Sequence, residues 1–155
     1  MTHSDQPALD KKNIDTILVL DFGSQYTQLI ARRIRELDVF SVILPWDISK
    51  ERIAVLNPTG IILSGGPESV TNNNTPRIPK IIFDLEIPIL GICYGMQTLA
   101  EQFGGQVTSS TRKEFGHASI TLEQASILFD GFDAGSVIDV WMSHGDHVST
   151  LPDQF

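Results

Sequence analysis

TILVLDFGSQYTQLIARRIREL, residues 16–37, changes its hydrophobic period halfway along. TILVLDF (16–22) is a near-continuous apolar run rich in β-formers, the pattern of a strand buried on both faces. From there Tyr26, Leu29, Ile30, Ile34 and Leu37 fall at helical spacing, and Ser24 stands where an N-cap belongs. The same alternation continues outward. SVILPW (41–46) reads as a second strand and SKERIAVL (49–56) as a short helix capped by Ser49. GIILSGG (60–66) reads as a third strand ending in glycines, and ESVTNNNTPRI (68–78) as a polar loop. PKIIFDLE (79–86) is a helix with Pro79 near its first turn, and PILGIC (88–93) a fourth strand. YGMQTLAEQF (94–103) is a helix stopped by Gly104 and Gly105. Such alternation predicts an α/β fold: a doubly wound, mostly parallel sheet with helices on both faces. Beyond 105, QVTSS, ASITLE and SVIDVWMS read as more exposed, partly antiparallel strands, an extension of that sheet fold.

The chain has 155 residues, 41% of them hydrophobic, enough for one domain with a real core. Residues 1–15 read as a flexible tail and 16–155 as the domain. The longest apolar stretches are strand-sized, so no membrane span is expected. MTHSDQPALDKKN at the N-terminus lacks the apolar region of a signal peptide. A formal net charge of −8 argues against a nucleic-acid backbone as partner. A single cysteine forms no internal disulfide, which points to a reducing, cytoplasmic setting.

In a sheet of this kind ligands sit outside the carboxyl ends of the strands. LDFGSQ (20–25), LSGGPES (63–69) and GICYGMQ (91–97) are expected to converge there. G-I-C-Y-G is a cysteine version of the strand–nucleophile–helix elbow G-x-S-x-G. The residues two before and two after the nucleophile must be small so that strand and helix can approach. A helix N-terminus favours a thiolate. The N–H of Tyr94 would then face the oxygen of an attacked carbonyl, and the N–H of Gly66 is the candidate second donor. Two plainer readings compete: a buried structural cysteine at Cys93, and a simple turn or phosphate cradle at LSGGPES. The glycine loop fits neither G-x-x-x-x-G-K-[ST] nor G-x-G-x-x-G.

A nucleophilic thiolate needs a base, usually His oriented by a carboxylate. The histidines are His3, His117, His144 and His147. SHGDH (143–147) pairs two of them with Asp146, as a base with its orienter or as half a metal site. H-x-x-H on a loop lacks the helical spacing of zinc sites, and no second cysteine supports it, so no metal is expected. The plain alternative is a turn lining a pocket.

DFGSQYTQLIARRIRE, GIILSGGPESV, ILGICYGMQ, KEFGHA and VWMSHGD together resemble the amidotransferase domain of the GMP synthases, a branch of the class I (triad) glutamine amidotransferases. The likeness runs from about Ile17 to the last residues. It implies a flavodoxin-like fold and hydrolysis of L-glutamine to glutamate and ammonia. Cys93 would be the nucleophile that forms the γ-glutamyl thioester, with Gly66 and Tyr94 as oxyanion donors. Gln97, Ser143, His144 and Gly145 would bind glutamine, which assigns SHGD to binding rather than to the base. The glutaminase reaction itself would need no cofactor. The ammonia would pass to an ATP-pyrophosphatase (synthetase) domain of the same protein, which uses ATP and Mg²⁺ to convert XMP to GMP in purine biosynthesis. The parent protein would be a homodimer. The family's base and its orienter lie in a His-x-Glu motif after SHGD. No H-x-E occurs in this sequence, so the catalytic His and Glu are expected beyond Phe155 and the chain alone is expected to turn over little or no glutamine. The domain is therefore expected to be incomplete at its C-terminus, without the synthetase part. Two other readings remain at this point. One is another cysteine-elbow α/β protein, DJ-1/PfpI-like or similar. The other is a non-enzymatic flavodoxin-like binding module.

Overall fold

A computed structural model describes residues 14–153 and 155, with the side chains of 110–115 and 144 outside the description. Most of the expected tail, residues 1–13, therefore lies outside the described residues. The chain forms two compact units. The first takes in the chain up to Pro67 and Pro76–Met96, the second Glu68–Thr75 and Gln97–Phe155.

The first unit is built on four parallel strands: β1 (Thr16–Asp21), β2 (Phe40–Pro45), β3 (Gly60–Leu63) and β4 (Ile89–Gly91). Their order is β2-β1-β3-β4. β1 aligns Thr16 with Phe40 of β2 on one side and Ile17 with Gly60 of β3 on the other. Flanked on both edges and covered on both faces, it buries Leu18, Val19 and Leu20 completely. That is why TILVLDF is apolar without alternation. The connecting helices are α1 (Thr27–Arg35), α2 (Lys50–Leu56) and α3 (Lys80–Phe83). The chain moves one way from β1 to β2 and the other way from β2 to β3 to β4. Right-handed crossovers then place α1 on one face and α2 and α3 on the other, the doubly wound arrangement expected from the sequence.

α1 departs from its expected form. Ser24 is not its N-cap; the cap position is Tyr26, with no side-chain cap bond. The preceding turn uses the available groups first. Asp21 Oδ1 accepts from the Gly23 N–H (2.9 Å) and from Thr27 Oγ1 (2.8 Å), and Ser24 Oγ accepts from the Tyr26 N–H (3.0 Å). The helix also buries Thr27 and Ala31, with Ile30 and Ile34 half-buried, and leaves Tyr26, Leu29 and Leu37 exposed. Small Ala31 lets the helix lie close on the sheet, where Ser41 Oγ donates to its carbonyl (3.0 Å). Ser49 does cap α2, its side chain accepting from the Arg52 N–H at 3.4 Å.

α4 (Tyr94–Gln102) follows β4 directly and ends as the two glycines predict. Gly104 takes φ +90°, its N–H donating to the carbonyl of Glu101, and the Gly105 N–H donates to that of Ala100. These two bonds are a Schellman stop.

In the second unit β5 (Gln106–Thr121) pairs antiparallel with β6 (Val137–Thr150). The separate strands expected at QVTSS and ASITLE are one continuous strand, because the intervening backbone stays paired with β6 from Glu114 onward. SHGD, expected as a loop, lies inside β6: Ser143 pairs with Phe115, His144 with Glu114 and Asp146 with Ser109. The register jumps between Ser109 and Glu114, and Gly145 falls in that break. Among the described residues, no helix is long and apolar enough to cross a membrane.

Candidate active site

In the first unit, hydrogen bonds between strand ends bring together residues 20–25, 63–67 and 91–96 of the three expected segments. The Ser64 N–H donates to the Leu20 carbonyl and the Phe22 N–H to Ser64 Oγ, both at 3.0 Å. Ser64 Oγ in turn donates to the Gly65 carbonyl at 2.9 Å. The Ile92 N–H donates to Leu63 O, and the Gly95 N–H to Ser64 O, both at 3.0 Å. The Phe22 and Tyr94 rings are 5.5 Å apart, and Tyr94 Oη donates to the Pro76 carbonyl at 2.5 Å.

Cys93 sits at the junction of β4 and α4 with φ +50°, a left-handed conformation unfavourable for a residue with a Cβ. The glycines around it have no substitute. A Cβ on Gly91 would lie 2.6 Å from Met96 Cα, and one on Gly95 2.5 Å from the Leu63 carbonyl oxygen. One on Gly66 would lie 2.6 Å from the Phe22 carbonyl oxygen. On Gly65 it would touch the Cβ of Cys93 at 3.4 Å, so the glycine loop runs against the elbow. These contacts give the loop a packing reason for its glycines, and nothing in it matches a nucleotide-phosphate cradle. Neither the Gly66 N–H nor the Tyr94 N–H has a hydrogen-bond partner among the described residues, as oxyanion donors require.

Cys93 is exposed, not a buried core thiol. Its surroundings still withdraw enough water from Sγ to push the thiol pKa up. This direction runs against the thiolate expected from the elbow, while the helix N-terminus acts in the opposite sense. Such a thiol requires a proton acceptor to become a strong nucleophile.

The other four candidates belong to the second unit. Gln97, in the first turn of α4, is buried, and its Nε2 donates to the Asp146 carbonyl at 2.9 Å. The amide nitrogen expected to reach substrate thus holds β6. Ser143 is exposed, Gly145 is half-buried with open space at its Cα, and His144 is described by its backbone alone. The Asp146 carboxylate accepts from Ser69 Oγ, and His147 Nε2 lies 3.2 Å from Thr108 Oγ1. His117 pairs with Asp139 on the hairpin at 3.4 Å. Sequence reasoning reaches Asp146 only as a partner for histidine. Its tie to Ser69 joins residues 77 positions apart and has no local signal.

The model of the class-I glutamine amidotransferase family matches residues 18–155. GMP synthase (glutamine-hydrolysing) of Colwellia psychrerythraea is 56% identical over 145 residues, and that of Histophilus somni 55% over 144. Each alignment covers 90% of this chain, which spans 28% of those relatives' length. Among solved structures, a GMP synthase subunit from Thermoplasma acidophilum superposes with a TM-score of 0.75 at 33% identity, covering 90% of this chain and 69% of that one. A glutamine amidotransferase of Methylobacillus flagellatus, 20% identical with a TM-score of 0.64, shares the fold over 90% of this chain and 57% of that one. With a cysteine elbow on a β2-β1-β3-β4 sheet, and the family pattern matched from 18 to 155, the chain belongs to the class-I glutamine amidotransferases.

Proposed function

We propose that this chain is the glutaminase part of a GMP synthase and that Cys93 is its nucleophile. The observation that carries this reading is the backbone of Cys93: a left-handed residue between two glycines that admit no side chain, with Gly66 and Tyr94 offering free N–H groups. A residue held in a left-handed conformation is costly to fold, and strain of this kind clusters at functional sites.

In the proposed mechanism Sγ attacks the side-chain amide carbon of glutamine. The oxygen takes up negative charge, which the N–H groups of Gly66 and Tyr94 stabilise. The imidazole that takes the thiol proton passes it to the amide nitrogen, so collapse of the adduct expels ammonia and leaves a thioester on Cys93; water, giving its proton to the same imidazole, then releases glutamate and the thiol. Ser143, His144 and Gly145 hold the α-amino and α-carboxylate groups, with Gln97 supporting them. Because burial raises the thiol pKa, the thiolate is scarce until an imidazole takes the proton. The His-x-Glu motif that would supply it is absent from these 155 residues. Glutamine hydrolysis uses no cofactor in this scheme. ATP, Mg²⁺ and the amination of XMP are assigned to a synthetase domain on the likeness to the GMP synthases, of whose length this chain spans 28%.

The test is ammonia release from glutamine by this chain and by one extended through the next H-x-E of its gene, each with and without Cys93→Ala. Release by the extended wild type alone is the expected result. Turnover by this chain unaided would place the base among its own histidines and overturn the proposed division of labour.

A further inference from the structure

The β5–β6 ladder breaks where the glutamine-binding segment is proposed to lie. Pairing runs from Gln106↔Thr150 to Ser109↔Asp146 and resumes only at Glu114↔His144. Gly145 has no opposite number, and no Cβ or close neighbour restrains it. A segment meant to hold two charged groups of a small ligand needs a fixed backbone, and here the ladder does not provide one.

Asp146, the next residue, is tied down twice. Its carboxylate accepts a hydrogen bond from Ser69 Oγ, and its main-chain carbonyl accepts from the buried amide of Gln97 at 2.9 Å. Ser69 is itself fixed: Oγ is 2.7 Å from Thr71 Oγ1 and accepts from the Thr71 N–H at 3.3 Å. Thr71 Oγ1 lies 3.4 Å from Ser109 Oγ, on the residue paired with Asp146. The hydroxyl chain thus closes on the last intact rung before the break.

We propose that Asp146 and Ser69 are positioning residues for glutamine: their side-chain bond, with the Gln97 bond to the Asp146 carbonyl, sets the backbone of Ser143–Gly145. This rests on the proposed glutaminase reading. Neither residue touches substrate in this scheme. Their effect is on binding and not on the chemistry at Cys93.

Two measurements on the whole chain test it, using wild type, Ser69→Ala and the hydroxyl-retaining Ser69→Thr. The first is amide hydrogen exchange across residues 143–147. Ser69→Ala should speed it about fivefold, the worth of one hydrogen bond, and Ser69→Thr should leave it near wild type. Unchanged exchange in Ser69→Ala overturns the clamp whatever the ligand is. The second is alkylation of Cys93 by a glutamine-shaped chloroketone, with iodoacetamide as a shape-blind control. Ser69→Ala should raise the half-saturating chloroketone concentration several-fold while the limiting rate and the iodoacetamide rate stay put. An unchanged half-saturating concentration, or a parallel fall in both rates, overturns the positioning role. Non-saturable labelling of the wild type would instead sink the glutaminase reading, and hydrogen exchange would still judge the clamp.

Discussion

β1 (TILVLD) and the opening of β6 (VIDVWM) are both apolar stretches rich in β-formers, yet they meet opposite fates. Leu18, Val19 and Leu20 of β1 expose nothing, whereas Val137 and Trp141 of β6 are 66% and 78% exposed. β1 has a strand on each edge and helices over both faces. β6 has β5 alone as a sheet partner among the described residues, and a two-stranded ribbon cannot cover both of its faces. The alternation Val137, Asp139, Trp141, Ser143 puts one row outward, and Ile138, Val140 and Met142 form the half-buried row. A buried parallel strand leaves little freedom in its residue choice. The ribbon leaves more, and there the functional reading attaches to backbone and hydrogen bonds more than to apolar packing.

Substitutions should divide along that line. Leu18→Ala in β1 should cost about 3 kcal/mol through lost burial and the cavity left, read as a fall in urea midpoint. A loss under about 1 kcal/mol would mean that the sheet collapses around the gap as freely as the ribbon does. Gly95→Ala should cost about 2 kcal/mol, because the new methyl meets a strand carbonyl that cannot move aside. Equal stability of that variant would show that the elbow is looser than its contacts imply.

Cys93→Gly runs the other way. Relief of the left-handed strain outweighs the greater freedom of the unfolded chain, so the variant should be more stable by about 0.5–1 kcal/mol while losing its thiol. A thermal midpoint at or below wild type would remove the claim that strain is stored there. In the wild type, alkylation by iodoacetamide should reach half its maximal rate at a higher pH than a free thiol does, because burial disfavours the thiolate. The linked stability has a definite sign. The folded state holds the thiol proton more tightly, so this contribution is intact below the unfolded thiol's pKa and lost as pH rises through the folded one. A reactivity midpoint below that of a free thiol would show the helix N-terminus prevailing over desolvation. The smallest effect is expected for Trp141→Ala, within about 0.5 kcal/mol despite the size of the side chain. A loss near that of Leu18→Ala would mean the ribbon face is covered in solution and would erase the contrast.

Much of the first unit is legible because its signals are local. A continuous apolar run, a serine at Ser49, Gly91 against Met96 and the helix stop at Gly104 and Gly105 each act on neighbours a few residues away. The elbow belongs to the same class in its left-handed residue and in Gly91, whereas Gly95 and Gly66 are required by Leu63 and Phe22 of other segments. Ser24 misleads because Asp21 and Thr27 compete for the same turn, and three polar groups allow more than one start for a helix. The buried face of α1 misleads too, because a pattern of apolar residues cannot show that small Ala31, not Leu29, is what the close approach to the sheet requires.

The sequence by itself therefore determined the order of strands and helices along the chain and the place of the cysteine elbow, because each depends mainly on interactions along a few residues of chain. Only the tertiary structure decided that SHGD lies in a strand and that the strand breaks at Gly145. It alone decided that Asp146 is held by Ser69 and Gln97, 77 and 49 residues away. Hydrogen bonds at such separations depend on which segments the fold brings together, and no local propensity encodes that.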